Sequence, residues 1–177
     1  PHQALWAGVR HLYPADTVQI MIALYPGSFD PIHLGHVDTV EQAASLFGEV
    51  VVAVIHNPEK PSGLFSIDER VALAKSALAH VRGVRVKAFA GLAIDAATSE
   101  HANCIVKSAR NASDFEIEQQ MANTNYSVSG IRTVVMLALP GNSFISSRYI
   151  REIAIHGGDV STLVPANVVA AILAKHK

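Results

Sequence analysis

The sequence predicts an α/β fold in which five parallel strands form one sheet with helices on both faces. Two observations support this prediction. Five short segments predict strands: apolar runs rich in β-branched residues at residues 20–25, 49–55, 104–106 and 133–139, and an alternating apolar and charged stretch at residues 84–89. Segments with apolar residues at helical spacing separate these runs, so strands and helices alternate throughout. This alternation is typical of a Rossmann-like, doubly wound parallel sheet with right-handed crossovers.

The first predicted strand, at residues 20–25, is followed by the motif GSFDPIHLGH at residues 27–36. Apolar residues at helical spacing from Val37 onward predict a helix that begins near Gly35 and His36. The N-terminus of a helix presents unpaired N–H groups and the positive end of the helix dipole. Such a helix start suits a phosphate group.

The side chains of this motif also suit phosphate chemistry. Ser28 supplies a hydroxyl group, and His33 and His36 are three positions apart, so both can face one ligand from a helical turn. Gly35 removes a side chain where the backbone has to approach the ligand closely. From these residues alone, the alternative is that both histidines are surface loop residues.

The second strand leads into a polar loop, residues 56–63, that carries Lys60. This loop leaves the carboxyl end of the strand, which is the edge where open α/β sheets bind ligands. We therefore expect Lys60 near the first motif, and the alternative is a solvated loop lysine. Ser66 and Glu69 then have the spacing of a capping box and predict the start of the next helix.

Two cations follow the fourth strand, at residues 104–106. Lys107 and Arg110 are placed at the same ligand-binding edge of the sheet. Arg110 can bind phosphate oxygens through two N–H groups, whereas Lys107 acts as a point charge. The alternative is that they form a surface ion pair with Asp114 or Glu116.

Polar residues also mark the last two helix starts near the sheet. The helix that begins at about Asp114 carries Glu118, which can accept hydrogen bonds from a nucleotide or simply face solvent. After the fifth strand, Ser146 and Ser147 precede a helical pattern and offer a second anion site with hydroxyl and N–H groups. Ordinary helix capping by these serines is the alternative.

Composition excludes several classes of protein. The net charge of −1, from 14 basic and 15 acidic residues, gives no overall attraction to nucleic acid or to an anionic membrane. The single cysteine, Cys104, excludes an internal disulfide and fits a reducing compartment. No apolar run approaches the ~18 residues that span a bilayer. The P-loop, GxGxxG, CxxC and HExxH motifs do not occur.

A length of 177 residues, half of them hydrophobic, favours a single domain. Residues 1–19 differ from the rest, since they show no clear periodicity and no initial methionine. We expect an N-terminal extension or an expression remnant at residues 1–19, followed by one domain at residues 20–177. The alternative is an arm that packs on the domain or on a neighbouring subunit through Leu5, Trp6, Leu12 and Tyr13.

The motif GSFDPIHLGH resembles the first signature of the HxGH nucleotidylyltransferase superfamily. The later segments NPEKP, FSIDERVALA, IVKSARNASDFEIE, SFISSRYIRE and GGDVSTLVP follow in an order that resembles the bacterial phosphopantetheine adenylyltransferases. This resemblance extends from about Met21 to the C-terminus. It implies transfer of the adenylyl group of ATP to 4′-phosphopantetheine, giving dephospho-coenzyme A and pyrophosphate in coenzyme A biosynthesis.

The resemblance further implies that the protein uses Mg²⁺, assembles as a homohexamer and is cytoplasmic, with no nucleic-acid or membrane partner. It implies catalytic roles for His36, Lys60 and Arg110, and no direct protein ligand to the metal. The acceptor site would be formed by Ser28, Lys60, Ala93 and Lys107. The ATP site would be formed by Ser28, Phe29, His36, Ser108, Ala109, Arg110, Glu118, Asn142, Ser143, Phe144, Ile145, Ser146, Ser147 and Arg148.

The sequence departs from the family pattern in three places, which involve four residues. Ser108 and Ala109 stand where Gly and Leu commonly separate the two cations, Arg148 stands where a third serine is usual, and His33 stands where Thr is frequent. Two alternatives remain open. The first is another HxGH nucleotidylyltransferase, acting on nicotinate mononucleotide or transferring a cytidylyl group. The second is a non-catalytic nucleotide-binding homologue.

Overall fold

The computed structural model describes residues 20–57 and 63–175. Within these residues the strands are β1 (Met21–Gly27), β2 (Gly48–His56), β3 (Val84–Ala90), β4 (Cys104–Ala109) and β5 (Arg132–Leu137). The helices are α1 (Leu34–Phe47), α2 (Ile67–Ala77), α3 (Ala93–Ser99), α4 (Ala112–Ser129), α5 (Ser147–Ile155) and α6 (Ala166–Lys175). The N-terminal segment 1–19 and Lys60 lie outside the described residues, so what the sequence predicts for them stays a prediction.

All neighbouring strands pair in parallel, and their order across the sheet is β3-β2-β1-β4-β5. The chain therefore extends the sheet from β1 in one direction through β2 and β3, and then returns to the other side of β1 with β4 and β5. The strand order reverses between β1 and β4, which is the point where open parallel sheets bind ligands. The predicted five-stranded, doubly wound parallel sheet is confirmed.

Alternate residues of the strands pack into two apolar layers on opposite faces of the sheet. In β1, Ala23 and Tyr25 belong to one layer and Leu24 belongs to the other. The larger layer includes buried residues of α1, α2, α5 and α6, and the smaller layer includes those of α3. Helices therefore cover both faces, and both layers hold β1 in a fixed position beneath the motif that follows it.

The element boundaries follow local hydrogen bonds. Ser66 and Glu69 exchange backbone and side-chain bonds at the start of α2, as the predicted capping box requires. β4 extends to Ala109, beyond the predicted run at 104–106, because Ala109 pairs with Leu137 of β5. β5 ends at Leu137, before the predicted end at residue 139. The two strands thus end together, and Lys107 and Ser108 near the end of β4 line the cleft described below.

No residue of α4 is buried. This helix carries a series of exposed apolar side chains, namely Phe115, Ile117, Met121, Tyr126 and Val128. Its low burial contrasts with α1, in which five residues are buried. Among the helices that the structure describes, none has the length and apolar character needed to cross a membrane.

Candidate active site

A cleft of about 440 Å³ opens at the carboxyl edge of the sheet, where β1 and β4 lie side by side. Tyr25, Pro26 and Gly27 at the end of β1 form one wall, and Lys107 and Ser108 of β4 form the next. The loop before α5 and the first turn of that helix complete the lining. The cleft therefore occupies the point where the strand order reverses.

The structure brings together most of the residues that the sequence predicts for the site. The predicted residues that line the cleft are Ser28, Phe29, His36, Lys107, Ser108, Arg110, Glu118, Asn142, Ile145, Ser146, Ser147 and Arg148. Ala93, Ala109, Ser143 and Phe144 do not line it; Ala109 is buried within the sheet and Phe144 faces solvent. Lys60 lies outside the described residues. The roles of all these residues stay predictions.

His33 and His36 form a reciprocal cap at the start of α1. The backbone N–H of His36 donates to Nδ1 of His33, and the backbone N–H of His33 donates to Nδ1 of His36, each over 3.3 Å. Their rings stack with centroids 3.6 Å apart. Since each Nδ1 accepts a hydrogen bond, the hydrogen of each neutral ring is on Nε2. Each imidazole can therefore donate one hydrogen bond to a ligand.

Both imidazoles are held in the neutral state. Burial, with a contribution from Arg110, lowers the pKa of His33 from 6.5 to about 4. Burial, the neighbouring His33 ring and Arg110 together hold the pKa of His36 well below its ordinary value. The histidines thus contribute N–H donors near neutral pH, and the positive charge of the cleft comes from other residues.

Aromatic packing fixes the ring of His36 from the opposite side. Phe29 is 1% exposed and contacts the His36 ring edge-to-face at 4.9 Å between centroids. Burial raises the pKa of Tyr25 to about 12, so its hydroxyl stays protonated beside Phe29. A Cβ at Gly35 would lie 3.1 Å from the His33 ring, a tight contact that would require a small shift of this ring. Glycine at this position therefore suits the close packing of the histidine pair.

Two cations of the cleft, Lys107 and Arg110, are paired with carboxylates of α4. Lys107 Nζ lies 3.2 Å from Glu118 Oε1. Arg110 makes a bidentate ion pair with Asp114, at 2.7 Å from Nε to Oδ2 and 3.2 Å from Nη2 to Oδ1. The Arg110–Asp114 pair that the sequence left open is therefore present, whereas Lys107 pairs with Glu118 rather than with Asp114 or Glu116.

A second helix start faces the cleft at α5. No side chain caps this helix, because the hydroxyl of its N-cap residue Ser146 makes no capping hydrogen bond. The Ser147 hydroxyl instead donates to the carbonyl of Pro31 at 3.0 Å. Arg148 is exposed in the first turn and lines the cleft. Compared with the capped α1, the start of α5 keeps more of its N–H groups available for an anion.

Sequence reasoning missed a buried ion pair beneath the cleft. Asp30 accepts hydrogen bonds from the amides of Leu64 at 3.0 Å and Phe65 at 2.9 Å, and its carboxylate lies 3.4 Å from Arg70 Nε. The Asp30 carbonyl accepts a hydrogen bond from Arg151 at 2.6 Å. Asp30 thus joins the first motif to Leu64 and Phe65, to α2 through Arg70 and to α5 through Arg151. These partners are far apart in sequence, so no local spacing signals them.

The lining has an excess of positive charge. Lys107, Arg110, Arg148 and Arg151 line the cleft, against the carboxylates of Asp114 and Glu118. Because the whole chain carries a net charge of −1, this cationic surface is local. Within residues 20–57 and 63–175, no three His, Cys, Asp or Glu side chains cluster as a ligand set for a metal ion. The arrangement is suited to binding a polyanion such as a triphosphate.

The fold and the cleft define a nucleotide-binding protein of the HxGH type. A sequence model of the cytidylyltransferase-like family matches residues 24–153, well over half of the chain. The matched region begins within β1 and includes the histidine pair, Lys107, Arg110, α4 and the first turns of α5. The chain belongs to the cytidylyltransferase-like family.

Curated relatives narrow this assignment to the phosphopantetheine adenylyltransferases. That of Thermosynechococcus vestitus is 48% identical over 149 residues, covering 84% of this chain and 88% of the relative. That of Corynebacterium diphtheriae is 44% identical over 155 residues, covering 88% of this chain and 98% of the relative. The resemblance that the sequence motifs indicate is confirmed.

Solved structures support the fold independently. A putative nicotinate-nucleotide adenylyltransferase from Vibrio parahaemolyticus superimposes with a TM-score of 0.60 at 19% identity, covering 86% of this chain and 98% of that one. A bifunctional NMN adenylyltransferase/ADP ribose pyrophosphatase from Francisella tularensis gives a TM-score of 0.65 at 15% identity, covering 82% of this chain and 45% of that one. At these identities the likeness shows the fold alone.

Proposed function

We propose that this protein transfers the adenylyl group of ATP to 4′-phosphopantetheine, giving dephospho-coenzyme A and pyrophosphate. The observation that carries the proposal is the 44–48% identity to phosphopantetheine adenylyltransferases over most of the chain. The cleft adds chemical support, because it combines neutral N–H donors, four cations and an uncapped helix start.

The reaction needs no nucleophile from the protein. An oxygen of the 4′-phosphate attacks the α-phosphorus of ATP, the bond from this phosphorus to the bridging oxygen breaks, and pyrophosphate leaves with that electron pair. Because the phosphate is already a competent nucleophile, catalysis depends on positioning and on stabilising negative charge. His36 donates from Nε2 to a phosphoryl oxygen, as its tautomer requires.

Arg110 and the start of α5 bind the remaining phosphate oxygens. The Arg110 guanidinium has five N–H donors, of which Asp114 accepts from two and the carbonyl of Ile145 accepts from one at 3.1 Å. Two donors remain for the triphosphate. Arg148 and the N–H groups of the first turn of α5 stabilise the departing pyrophosphate.

The acceptor lies on the side of Ser28, Lys107 and Lys60. Ser28 is exposed on the wall of the cleft, and Lys107 is half-buried beside Glu118. Lys60 is outside the described residues, and we assign it to the acceptor side from the resemblance alone. We assign Ala93, at the start of α3, to the acceptor side from the resemblance alone.

Mg²⁺ enters as the counter-ion of ATP. The donor set of the described cleft fits an ion carried by the triphosphate, because both carboxylates are already engaged by Lys107 and Arg110. Mg²⁺ keeps several of its waters and commonly binds through substrate phosphates. When bound there, it neutralises charge on the phosphate oxygens.

We further propose, from the resemblance, that six copies of the chain assemble and that the protein acts in the cytoplasm. The exposed apolar side chains of α4 support assembly, since exposed apolar surface is often an interface. The measurement is sedimentation of the purified chain, for which a hexamer mass is expected and a monomer would contradict the proposal.

The reaction is tested by measuring pyrophosphate release from ATP and Mg²⁺, with and without 4′-phosphopantetheine. We expect release that depends on the acceptor, together with a product of the mass of dephospho-coenzyme A. Parallel reactions replace the acceptor with nicotinate mononucleotide or replace ATP with CTP. If pyrophosphate is released only when nicotinate mononucleotide or CTP is present, the protein is another HxGH nucleotidylyltransferase. ATP binding without any release would indicate a non-catalytic homologue.

A further inference from the structure

Asp114 lines the cleft beside the proposed phosphate-binding cation, and neither the family pattern nor the proposed function assigns it a role. It lies in the first turn of α4, where its own backbone N–H donates to the side chain of the N-cap residue Asn111 at 2.9 Å. Its Oδ2 accepts from both Nε and the backbone N–H of Arg110, at 2.7 and 3.2 Å, and its Oδ1 accepts from Nη2. The helix start thus fixes the carboxylate, and the carboxylate fixes the arginine.

The other end of the guanidinium is held by the opposite wall of the cleft. Arg110 Nη1 donates to the carbonyl of Ile145, in the loop before α5, at 3.1 Å. Ile145 is 2% exposed and belongs to the larger apolar layer, so this carbonyl is itself held in place. Contacts on two sides therefore restrict the guanidinium plane, and its two remaining N–H donors keep a defined direction.

Asp114 has two opposing effects on an anionic ligand. Its negative charge repels the phosphates and weakens their binding. Its bidentate contact orients a flexible side chain before the ligand arrives and strengthens binding, because less rotamer freedom is then lost. If removing the Asp114 charge raises the Kd for the nucleotide, orientation is the larger effect; if it lowers the Kd, repulsion is the larger effect.

We propose that Asp114 is a positioning residue for nucleotide binding, acting through Arg110, and that orientation outweighs the repulsion between Asp114 and the phosphates. This role of Asp114 rests on one part of the proposed function, namely that Arg110 binds the triphosphate of ATP. It does not depend on which acceptor the protein uses.

The test is a double-mutant cycle on ATP binding, measured by calorimetry with Mg²⁺ and without an acceptor. In the wild-type background, we expect Asp114→Asn to raise the Kd for ATP by about tenfold, as for loss of one well-oriented charged hydrogen bond. In an Arg110→Ala background, the same substitution should leave the Kd unchanged or lower it, because only the repulsion remains. A purely structural role of Asp114 would weaken binding in both backgrounds.

The matched control is Asp68→Asn. Asp68 is also an acidic residue in the first turn of a helix, α2, but it does not line the cleft, so the same change of charge should alter the Kd by less than about twofold. If the wild-type protein binds ATP and Asp114→Asn binds it equally well or more tightly, the positioning role is overturned while the proposed function stands. If the wild-type protein does not bind ATP, the proposed function fails and the role of Asp114 fails with it.

Discussion

The neutral histidine pair makes the stability of this protein sensitive to mild acid. His33 is 7% exposed, and its pKa is lowered from 6.5 to about 4 by burial and by Arg110. The folded protein therefore binds fewer protons than the unfolded chain between these two values. Its stability is complete above the ordinary histidine pKa and falls as the pH decreases through this window.

The size of the effect follows from the same shift. At about pH 5, His33 is almost fully protonated in the unfolded chain and mostly neutral in the folded protein. This difference lowers the free energy of unfolding by about 2 kcal/mol. The pKa of His36 is lowered by burial first and then by His33 and Arg110, so its contribution has the same sign. With a typical urea dependence, about 2 kcal/mol shifts the unfolding midpoint by about 1 M.

The assay is urea unfolding at about pH 7.5 and about pH 5, at one protein concentration, for the wild type and for His33→Asn. Asparagine keeps a side-chain acceptor for the amide of His36 but does not titrate, so it preserves the cap and removes the proton. We expect the variant to lose about 2 kcal/mol less than the wild type between these pH values. Equal losses in the two proteins would refute the assignment of a neutral, buried His33.

Two further substitutions test the site and its support. His36→Ala should lower kcat by about 10²–10³-fold, which corresponds to a loss of about 3 kcal/mol of transition-state stabilisation. The control is His80→Ala, at an exposed histidine, which should leave kcat unchanged. Undiminished turnover of the His36→Ala protein would exclude the proposed role of His36. Gly63→Ala should lower the free energy of unfolding by about 1–3 kcal/mol, because the added Cβ would collide with the Asp30 carboxylate. Gly141→Ala is the control, since its Cβ would meet nothing within 4 Å, and equal stability of these two variants would contradict the packing at Asp30.

The sequence predicts the strands well because β1, β2, β4 and β5 contain apolar runs, and β3 alternates between apolar and charged residues. It cannot predict that β1 lies between β2 and β4, since an apolar run does not identify its neighbours. The extension of β4 to Ala109 was missed for a related reason. Lys107 and Ser108 do not look like strand residues, and only their pairing with β5 keeps them extended.

The candidate site was predictable where spacing is local. His33 and His36, three positions apart, cap the start of α1, and Arg110 and Asp114, four positions apart, form an ion pair at the start of α4. The contact between Asp30 and Arg70 crosses 40 positions in the sequence and is accompanied by hydrogen bonds from the amides of Leu64 and Phe65 to Asp30. Such contacts follow from the tertiary fold, and local periodicity carries no signal for them.

The central position of β1 also affects the order in which the strands can pair while the chain leaves the ribosome. β1 can pair with β2 as soon as both have been synthesised, but its other edge waits for β4. The backbone of Ile22 bonds to the side chain of Asn103, which is 81 positions further along the chain. Until that stretch emerges, β1 keeps an open edge of the kind that other chains can join. The histidine motif is therefore synthesised early, but the cleft is completed only after most of the chain has been made.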